Sequence, residues 1–211
     1  EYYNQKHMNI LQYKYKHIGQ DDKKNNWHMA IYSKYPQIQK GYITIDGKEK
    51  YNTCIYSDIV VNSDTIRVYN IHLASNWFNH KDYSFIENPN KKDIKKSIRG
   101  IIKKMKNSYK IRSKEVKIIK KHMTLSPYPN IVVGDFNDTP LSYAYNTIKK
   151  NLKDSFSVSG KGIGKSFIKI PGLRIDYILH DKALNSFNYK QYNDILSDHY
   201  PISCEIEITN P

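Results

Sequence analysis

The stretch IVVGDFNDTP, residues 131–140, decides the fold, because it joins a buried strand directly to a group of oxygen ligands. Three β-branched residues in a row predict a core strand, which turns at Gly134. The side chains presented after this turn are Asp135, Asn137 and Asp138. One interpretation is a plain loop, since these residues favour turns and Thr139-Pro140 is typical of an N-cap before a helix. The other is a metal or phosphate site at the carboxyl end of a strand.

Length and composition predict one domain, covering residues 1–211, with a core of its own. The chain has 211 residues, of which 39% are hydrophobic. No run approaches the roughly 18 apolar residues of a membrane-spanning helix, and the first residues contain no apolar block of a secretory signal. The sequence does not begin with Met. We therefore expect a processed or trimmed chain, and the cellular compartment stays open.

The charge balance favours an anionic partner, although only weakly. Lys and Arg number 34 against 20 Asp and Glu, which gives a net charge of +14. Such a field attracts polyanions and raises their rate of encounter. The same excess of Lys, Asn, Ile and Tyr would also follow from a preference for A/T-rich codons.

Hydrophobic periodicity separates strands from helices. Alternating runs predict strands at residues 30–36, 42–45, 51–61, 65–73, 173–180 and 199–208, with an Asp46-Gly47 hairpin between the second and third. From residue 91 to residue 123 apolar residues recur every three or four positions, which predicts a long helix whose apolar stripe is broken only by Arg112. Lysines cover most of its other faces, as is typical of a solvated surface. A shorter helix is predicted from Pro140 to about residue 149, and the whole pattern favours sheets covered by helices, an α+β or layered α/β domain.

Residues 74–90 are predicted to form an irregular loop that is rich in aromatic side chains. These aromatic residues are Trp77, Phe78, Tyr83 and Phe85. The simplest interpretation is that they pack the loop, and the alternatives are stacking on nucleic-acid bases or insertion into a lipid surface.

The segment SGKGIGKS, residues 159–166, nearly matches the phosphate-binding P-loop pattern. However, Ser159 occupies the position of the first glycine, no clear strand precedes the segment, and the following FIKIP cannot open a helix. We therefore interpret it as a loop and not as a nucleotide site.

Residue types suited to phosphoester hydrolysis occur at four predicted strand ends. His72 closes one strand, the pair Asp135 and Asn137 follows another, Asp176 lies among apolar residues, and Asp198-His199 precedes the last strand. Taken singly, a histidine at a strand end is usually a surface residue, and Asp198-His199 could be part of a turn. Asp176 is harder to explain in this way, because a carboxylate among the apolar residues of a strand needs a partner. Together they supply oxygen ligands for a divalent metal, a general base and groups that stabilise developing charge.

The motifs NIHL, GDFND, RIDYI and SDHYP, in this order, resemble those of the endonuclease/exonuclease/phosphatase superfamily, whose type member is deoxyribonuclease I. The resemblance extends from Ala30 to the C-terminus. It implies an α+β, four-layer α/β/β/α sandwich of two mainly antiparallel sheets flanked by helices, with the active site at the shared edge of the sheets.

The resemblance also implies roles for the first three site residues. His72 matches the histidine that binds or protonates the phosphate. Asp135 matches the acid that positions the attacking water or a metal. Asn137 matches its phosphate- or metal-binding partner.

The other three residues come from the last two motifs. His199 matches the catalytic histidine, and Asp176 matches the carboxylate that orients it. Asp198 matches an acid close to the metal.

The start of the chain departs from the family pattern. The family opens with a strand carrying an Asn, followed by Gln-Glu, whose Glu binds the metal, and no such strand precedes Glu1. We therefore expect an N-terminally truncated domain that lacks its first strand. Glu1 is either that metal ligand or an ordinary chain end, and both interpretations stay open. The implied metal ligands are Glu1, Asp135, Asn137 and Asp198, with Mg²⁺ as the cation and Mn²⁺ or Ca²⁺ as alternatives.

These observations predict a Mg²⁺-dependent phosphodiesterase, an endonuclease or exonuclease that acts on nucleic acid as a monomer. The alternative enzyme is a phosphatase or phospholipase of the same superfamily, with an inositol phosphate or sphingomyelin as substrate. The alternative outside enzymes is a basic binding module without catalysis.

Overall fold

The computed structural model describes residues 13–19, 29–45, 54–89 and 94–208. The strands are β1 (Tyr15–Gly19), β2 (Met29–Ser33), β3 (Gln37–Tyr42), β4 (Cys54–Val61), β5 (Asp64–His72), β6 (Asn130–Asp135), β7 (Leu152–Asp154), β8 (Asp176–Asp181), β9 (Leu184–Gln191) and β10 (Ile202–Ile208). The helices are α1 (His80–Glu87), α2 (Ile94–Thr124), α3 (Tyr143–Lys149) and α4 (Ser155–Ser159). None of these helices is long and apolar enough to cross a membrane.

A six-stranded sheet in the order β3-β4-β5-β6-β8-β7 forms the centre of the molecule. Only β5 and β6 run parallel, and all the other neighbours in this sheet are antiparallel. A parallel pair needs a long crossover, which α1 and α2 supply here. The crossover brings the carboxyl ends of β5 and β6 to the same edge of the sheet.

The two faces of this sheet bury two different apolar clusters. On one face, side chains of β5, β6 and β8 pack against Val116, Ile119 and Met123 of α2 and against α3. On the other face, Ile55, Ile66 and Ile131 pack against the antiparallel pairs β1-β2 and β9-β10. The fold is therefore two packed sheets with flanking helices, as the sequence predicted. A helical layer outside the two strand pairs is not among the residues that the structure describes.

The long predicted helix is present as α2, and residues 91–93 at its predicted start lie outside the described residues, as does the predicted Asp46-Gly47 hairpin. The predicted strand at residues 42–45 is wrong in position, since β3 ends at Tyr42. The irregular loop is also partly wrong, because α1 forms within it. Asn79 accepts a hydrogen bond from the Asp82 amide, and Asp82 accepts one from the Asn79 amide, a reciprocal capping box that starts the helix.

The second predicted helix begins later than expected. Its N-cap is Ser142, which accepts a hydrogen bond from the Tyr145 amide, and not Thr139. Thr139 instead donates its amide to Asp138 Oδ1 and ends the turn after β6. The helix therefore starts one short turn beyond the proline.

Candidate active site

Three neighbouring strands of the sheet place predicted site residues side by side. His72 is the last residue of β5 and is the register partner of Asp135, the last residue of β6. Asp135 is also the register partner of Asp176, the first residue of β8. Pairing across the sheet therefore brings together residues that are far apart in the sequence.

Gly134 is required for this close arrangement. It has φ +126°, a conformation that side chains with a Cβ rarely adopt. A Cβ built on it would lie 2.0 Å from the carbonyl oxygen of Ile71 in β5. The glycine of GDFND therefore allows the β6 backbone to approach β5 just before Asp135.

His199 is held by a carboxylate and by an aromatic ring. Its Nδ1 lies 2.8 Å from Asp176 Oδ2, so the hydrogen bond expected between these two side chains is present. The Phe167 ring packs edge-on against the imidazole with centroids 5.0 Å apart. Burial alone would lower the pKa of His199, but the hydrogen bond and charge of Asp176, helped by Asp135 and Asp198, outweigh it and raise that pKa.

Ser166 fixes the start of the strand that carries Asp176. Its buried hydroxyl oxygen accepts hydrogen bonds from the backbone amides of Ile175 and Asp176, at 2.9 and 3.0 Å. Sequence reasoning missed this role, because it interpreted the segment that ends at this serine only as a loop. Ser166 therefore positions the site residue Asp176 through its hydroxyl group.

Asp135 lies at the centre of the cluster. Its Oδ2 lies 3.9 Å from His199 Nε2 and 3.9 Å from His72 Nε2. Burial, followed by the nearby charge of Asp176, raises the pKa of Asp135 to about 7, although His199 and the Asn137 amide oppose the shift. An oxygen atom of each of Asp135 and Asp176 and a nitrogen of His199 all lie within 4.8 Å of one another.

Asn137 forms hydrogen bonds to Asp135 and to the loop after β5. Its backbone amide donates to Asp135 Oδ1 at 2.7 Å, and its Nδ2 donates to Asp135 Oδ2 and to the Leu73 carbonyl, at 2.9 and 3.0 Å. Only an amide NH₂ group can donate to both oxygens, so these contacts fix the orientation of the side chain. Its φ of +52° belongs to the left-handed region that asparagine tolerates better than most residues.

Asp198 is held apart from the three-residue cluster. Its Oδ2 accepts a hydrogen bond from Lys169 Nζ at 2.9 Å, and both side chains are nearly half exposed. Burial would raise the pKa of Asp198, but the bond to Lys169 outweighs it and holds that pKa below its usual value. Its predicted role as a metal-proximal acid stays a prediction. Glu1, the other untested ligand, lies outside the described residues.

Two buried residues of α2 form hydrogen bonds to the loops that follow β5 and β6. Arg112 donates to Asp138 Oδ2 at 3.0 Å, to the Ala74 carbonyl at 2.6 Å and to Asn76 Oδ1 at 3.1 Å. Glu115 accepts the Ala74 amide at 3.0 Å. The signal for this role was present in the sequence, because Arg112 is the one residue that breaks the apolar stripe.

The aromatic residues after His72 mostly pack against one another. Phe78 contacts Tyr83 edge-on at 5.8 Å between centroids, and Tyr83 contacts Phe167 at 6.3 Å. Phe85 is half-buried as well. Trp77 differs, since it is 73% exposed and has φ +54°.

Comparison with known proteins agrees with this geometry. The model of the Endonuclease/Exonuclease/phosphatase family matches residues 115–199, which include GDFND, RIDYI and the Asp198-His199 pair. Over these residues the chain is similar to the endonuclease/exonuclease/phosphatase family. A sequence search of curated proteins gave no significant match.

Several solved structures share the fold at low sequence identity. A conserved protein of unknown function from Enterococcus faecalis V583 aligns with TM-score 0.66 and 15% identity, over 92% of this chain and 76% of the other. The human nocturnin catalytic domain aligns with TM-score 0.63 and 15% identity, over 97% and 76%. The mannosyl-6-phosphatase of Bacteroides thetaiotaomicron VPI-5482 aligns with TM-score 0.57 and 15% identity, over 85% and 70%.

Proposed function

We propose that this protein hydrolyses phosphodiesters with the help of a divalent cation, Mg²⁺ in the first place. The observation that carries the proposal is the position of Asp135 Oδ2, which lies 3.9 Å from the Nε2 atoms of both His72 and His199. These gaps are too long for direct hydrogen bonds. An oxygen atom of water or of a phosphate that lies to one side of such a gap can contact both the imidazole and the carboxylate.

The donor set fits a hard cation. Asp135 supplies carboxylate oxygens, and Asn137 has both amide hydrogens engaged, so that its carbonyl oxygen is the group suited to a cation. The raised pKa of Asp135 indicates that its negative charge lacks full compensation, which a bound cation would provide. We assign Asp135 and Asn137 as ligands, with Asp198 and Glu1 assigned by family resemblance. When bound there, the cation would neutralise charge that develops on the phosphate.

His199 is the general base of the proposed reaction. Its Nδ1–H donates to Asp176, so that in the neutral ring Nε2 is the proton acceptor and lies toward Asp135. There it takes a proton from the attacking water, and Asp176 stabilises the imidazolium that results. His72, with its side chain 47% exposed at the edge of the site, binds the phosphate or protonates it.

We place nucleic acid first among the substrates because of the net charge of +14. One observation favours a phospholipid as the second candidate. Leu141, on the loop after β6, and Leu196, on the loop before His199, are 93% and 84% exposed. Aliphatic side chains do not stack on bases, and they do make favourable contacts with acyl chains.

The experiment is hydrolysis of bis(p-nitrophenyl) phosphate with Mg²⁺ and with EDTA. The protein should include any residues that precede Glu1 in its gene. We expect turnover only with the cation, and its loss in His199→Ala but not in His122→Ala, a matched histidine variant at the opposite end of the sheet. Plasmid nicking compared with release of phosphocholine from sphingomyelin vesicles then separates the two substrate classes. No turnover with any of these substrates would leave the catalytically silent binding module.

A further inference from the structure

The two halves of α2 differ in what covers their apolar side. The buried residues of the helix are Ser108, Arg112, Glu115, Val116, Ile119 and Met123. The apolar stripe nevertheless continues toward the N-terminus, where Ile94, Ile98 and Ile102 are 38%, 43% and 57% exposed. This half, residues 94–107, forms an overhang that contacts α1 through the ion pair between Lys104 and Asp82.

The overhang lies at the active-site end of the molecule. Near its C-terminus α2 is bonded to the start of β6, through Asn130 and the Met123 carbonyl, and at Arg112 it is bonded to Asp138, just past the end of β6. The helix thus runs the length of β6 and then continues. At about 1.5 Å per residue the overhang extends roughly 20 Å beyond Ser108, whose hydroxyl donates to the Ser75 carbonyl.

The overhang is also strongly basic. No Asp or Glu occurs between residues 94 and 114. Exposed cations within the overhang are Lys95, Lys96, Arg99, Lys103 and Lys106. At 3.6 residues per turn the isoleucines share an arc of about 100°, and Lys95, Arg99 and Lys106 lie along one border of that arc.

We infer that the overhang is a docking surface for an anionic lipid membrane. A basic amphipathic helix lies in the plane of the lipid headgroups, with its apolar side chains in the acyl boundary and its cations among the phosphates. This partner uses the exposed isoleucines and the lysines together. A nucleic-acid backbone would use only the cations and would leave the isoleucines in water. A second copy of the chain would bring two basic helices together against charge repulsion.

Trp77 belongs to the same end of the molecule. It follows the loop that Arg112 and Ser108 bond to α2, and its ring is 73% exposed. Tryptophan is enriched at membrane–water interfaces, where one part of the ring is apolar and the N–H meets water. Docking through the overhang therefore brings the candidate site to the lipid surface. The inference concerns binding and holds whether or not the protein is a phosphodiesterase.

The test is co-sedimentation with vesicles of phosphatidylcholine and phosphatidylserine, compared with vesicles of phosphatidylcholine alone. We expect binding only to the anionic vesicles. The combined variant Lys95→Glu, Arg99→Glu and Lys106→Glu should weaken that binding on the order of 100-fold or more. The combined variant Ile94→Ser, Ile98→Ser and Ile102→Ser should weaken it at least about ten-fold, with the charge unchanged.

A matched control places the same charge change elsewhere on α2. Lys114, Lys117 and Lys121 are exposed in the half of the helix that packs on the sheet. Their combined replacement by Glu should leave vesicle binding within about three-fold of the wild type, because they lie away from the overhang. Circular dichroism and thermal melting establish that each variant is folded.

Several outcomes would overturn the inference. These are no binding of the wild type to anionic vesicles, unchanged binding of the isoleucine variant, or an equal loss in the control variant. A wild-type dimer that the isoleucine variant converts to a monomer would assign the face to a second copy. With Trp27→Phe as background, Trp77 emission should shift to the blue on anionic vesicles, and an unshifted spectrum in the bound state would contradict the placement of the site at the lipid surface.

Discussion

The two ends of β5 and β6 carry the same residue types in two different electrostatic arrangements. At one end Arg67 donates to both carboxylate oxygens of Asp58, at 2.6 and 2.7 Å, and His122 shares a hydrogen bond with Tyr69. At the other end Arg112 pairs with Asp138 at 3.0 Å. Beside that second pair, however, the carboxylates of Asp135 and Asp176 face two imidazoles.

The pKa values of His122 and His199 shift in opposite directions at the two ends. Burial and the charge of Arg67 lower the pKa of His122, which favours the neutral form of its imidazole. The carboxylate contacts of His199 overcome the effect of burial and raise its pKa. A buried Arg–Asp pair is present at both ends, and an excess of carboxylate near histidine distinguishes the end where we propose cation binding and proton transfer.

Removal of divalent cations is expected to have the largest effect. EDTA should abolish phosphodiester hydrolysis, and Mg²⁺ or Mn²⁺ should restore it, because Asp135 needs a cation to balance its charge. Release of p-nitrophenol measures the rate. Full activity in EDTA would remove the functional distinction between the two ends.

Replacement of His199 comes next. His199→Ala should lower kcat by about 10² to 10⁴, the usual contribution of a general base, and Asp176→Asn should cost a similar factor. The double variant should be little worse than either single one, because the two residues act as a unit. Steady-state kinetics with His122→Ala as control checks this, and additive losses would contradict the proposed pairing.

Two of the buried arginines, Arg67 and Arg112, allow a matched comparison. Arg112→Lys and Arg67→Lys keep the charge but lose the directed hydrogen bonds, and each should cost about 1–3 kcal/mol in the free energy of unfolding. Only Arg112→Lys should lower kcat, by about ten-fold, because it misplaces the loops on either side of Asp135. Urea unfolding and kinetics at a temperature where both variants are folded test this. Equal kcat values would reduce Arg112 to a purely structural role.

The smallest expected effect is a gain in stability. The folded pKa of Asp135, about 7, exceeds the usual value of 3.8 for an aspartate, so its contribution to stability is present below about pH 4 and is lost as the pH rises to 7. Without metal, Asp135→Asn should therefore raise the free energy of unfolding by about 1–2 kcal/mol at pH 8, with a smaller gain at pH 5. Urea unfolding in EDTA at both pH values measures it. A destabilised variant at pH 8 would show that the carboxylate is already compensated without metal.

The long helix illustrates what periodicity alone predicts and what it leaves out. Apolar residues at three- and four-residue spacing predicted α2 almost to its ends, because a helix that packs on a sheet must present one apolar side. The same stripe did not distinguish Ile119, which is buried, from Ile98, which is 43% exposed. That difference depends on where the sheet ends beneath the helix.

The sequence by itself determined the residue types at the strand ends, because alternation locates the strands and the chemistry of carboxylates and imidazoles restricts what they can do. The turn predicted at Gly134 is wrong in position, because Gly134 lies within β6, where the missing Cβ allows the close approach to β5. Tertiary structure determined which of these residues come into contact. The pairing of His72 with Asp135, the donors of Arg112 and the engagement of Asp198 by Lys169 join residues separated by 26 to 63 positions. Such contacts depend on the crossover and on strand register, which local sequence patterns do not encode.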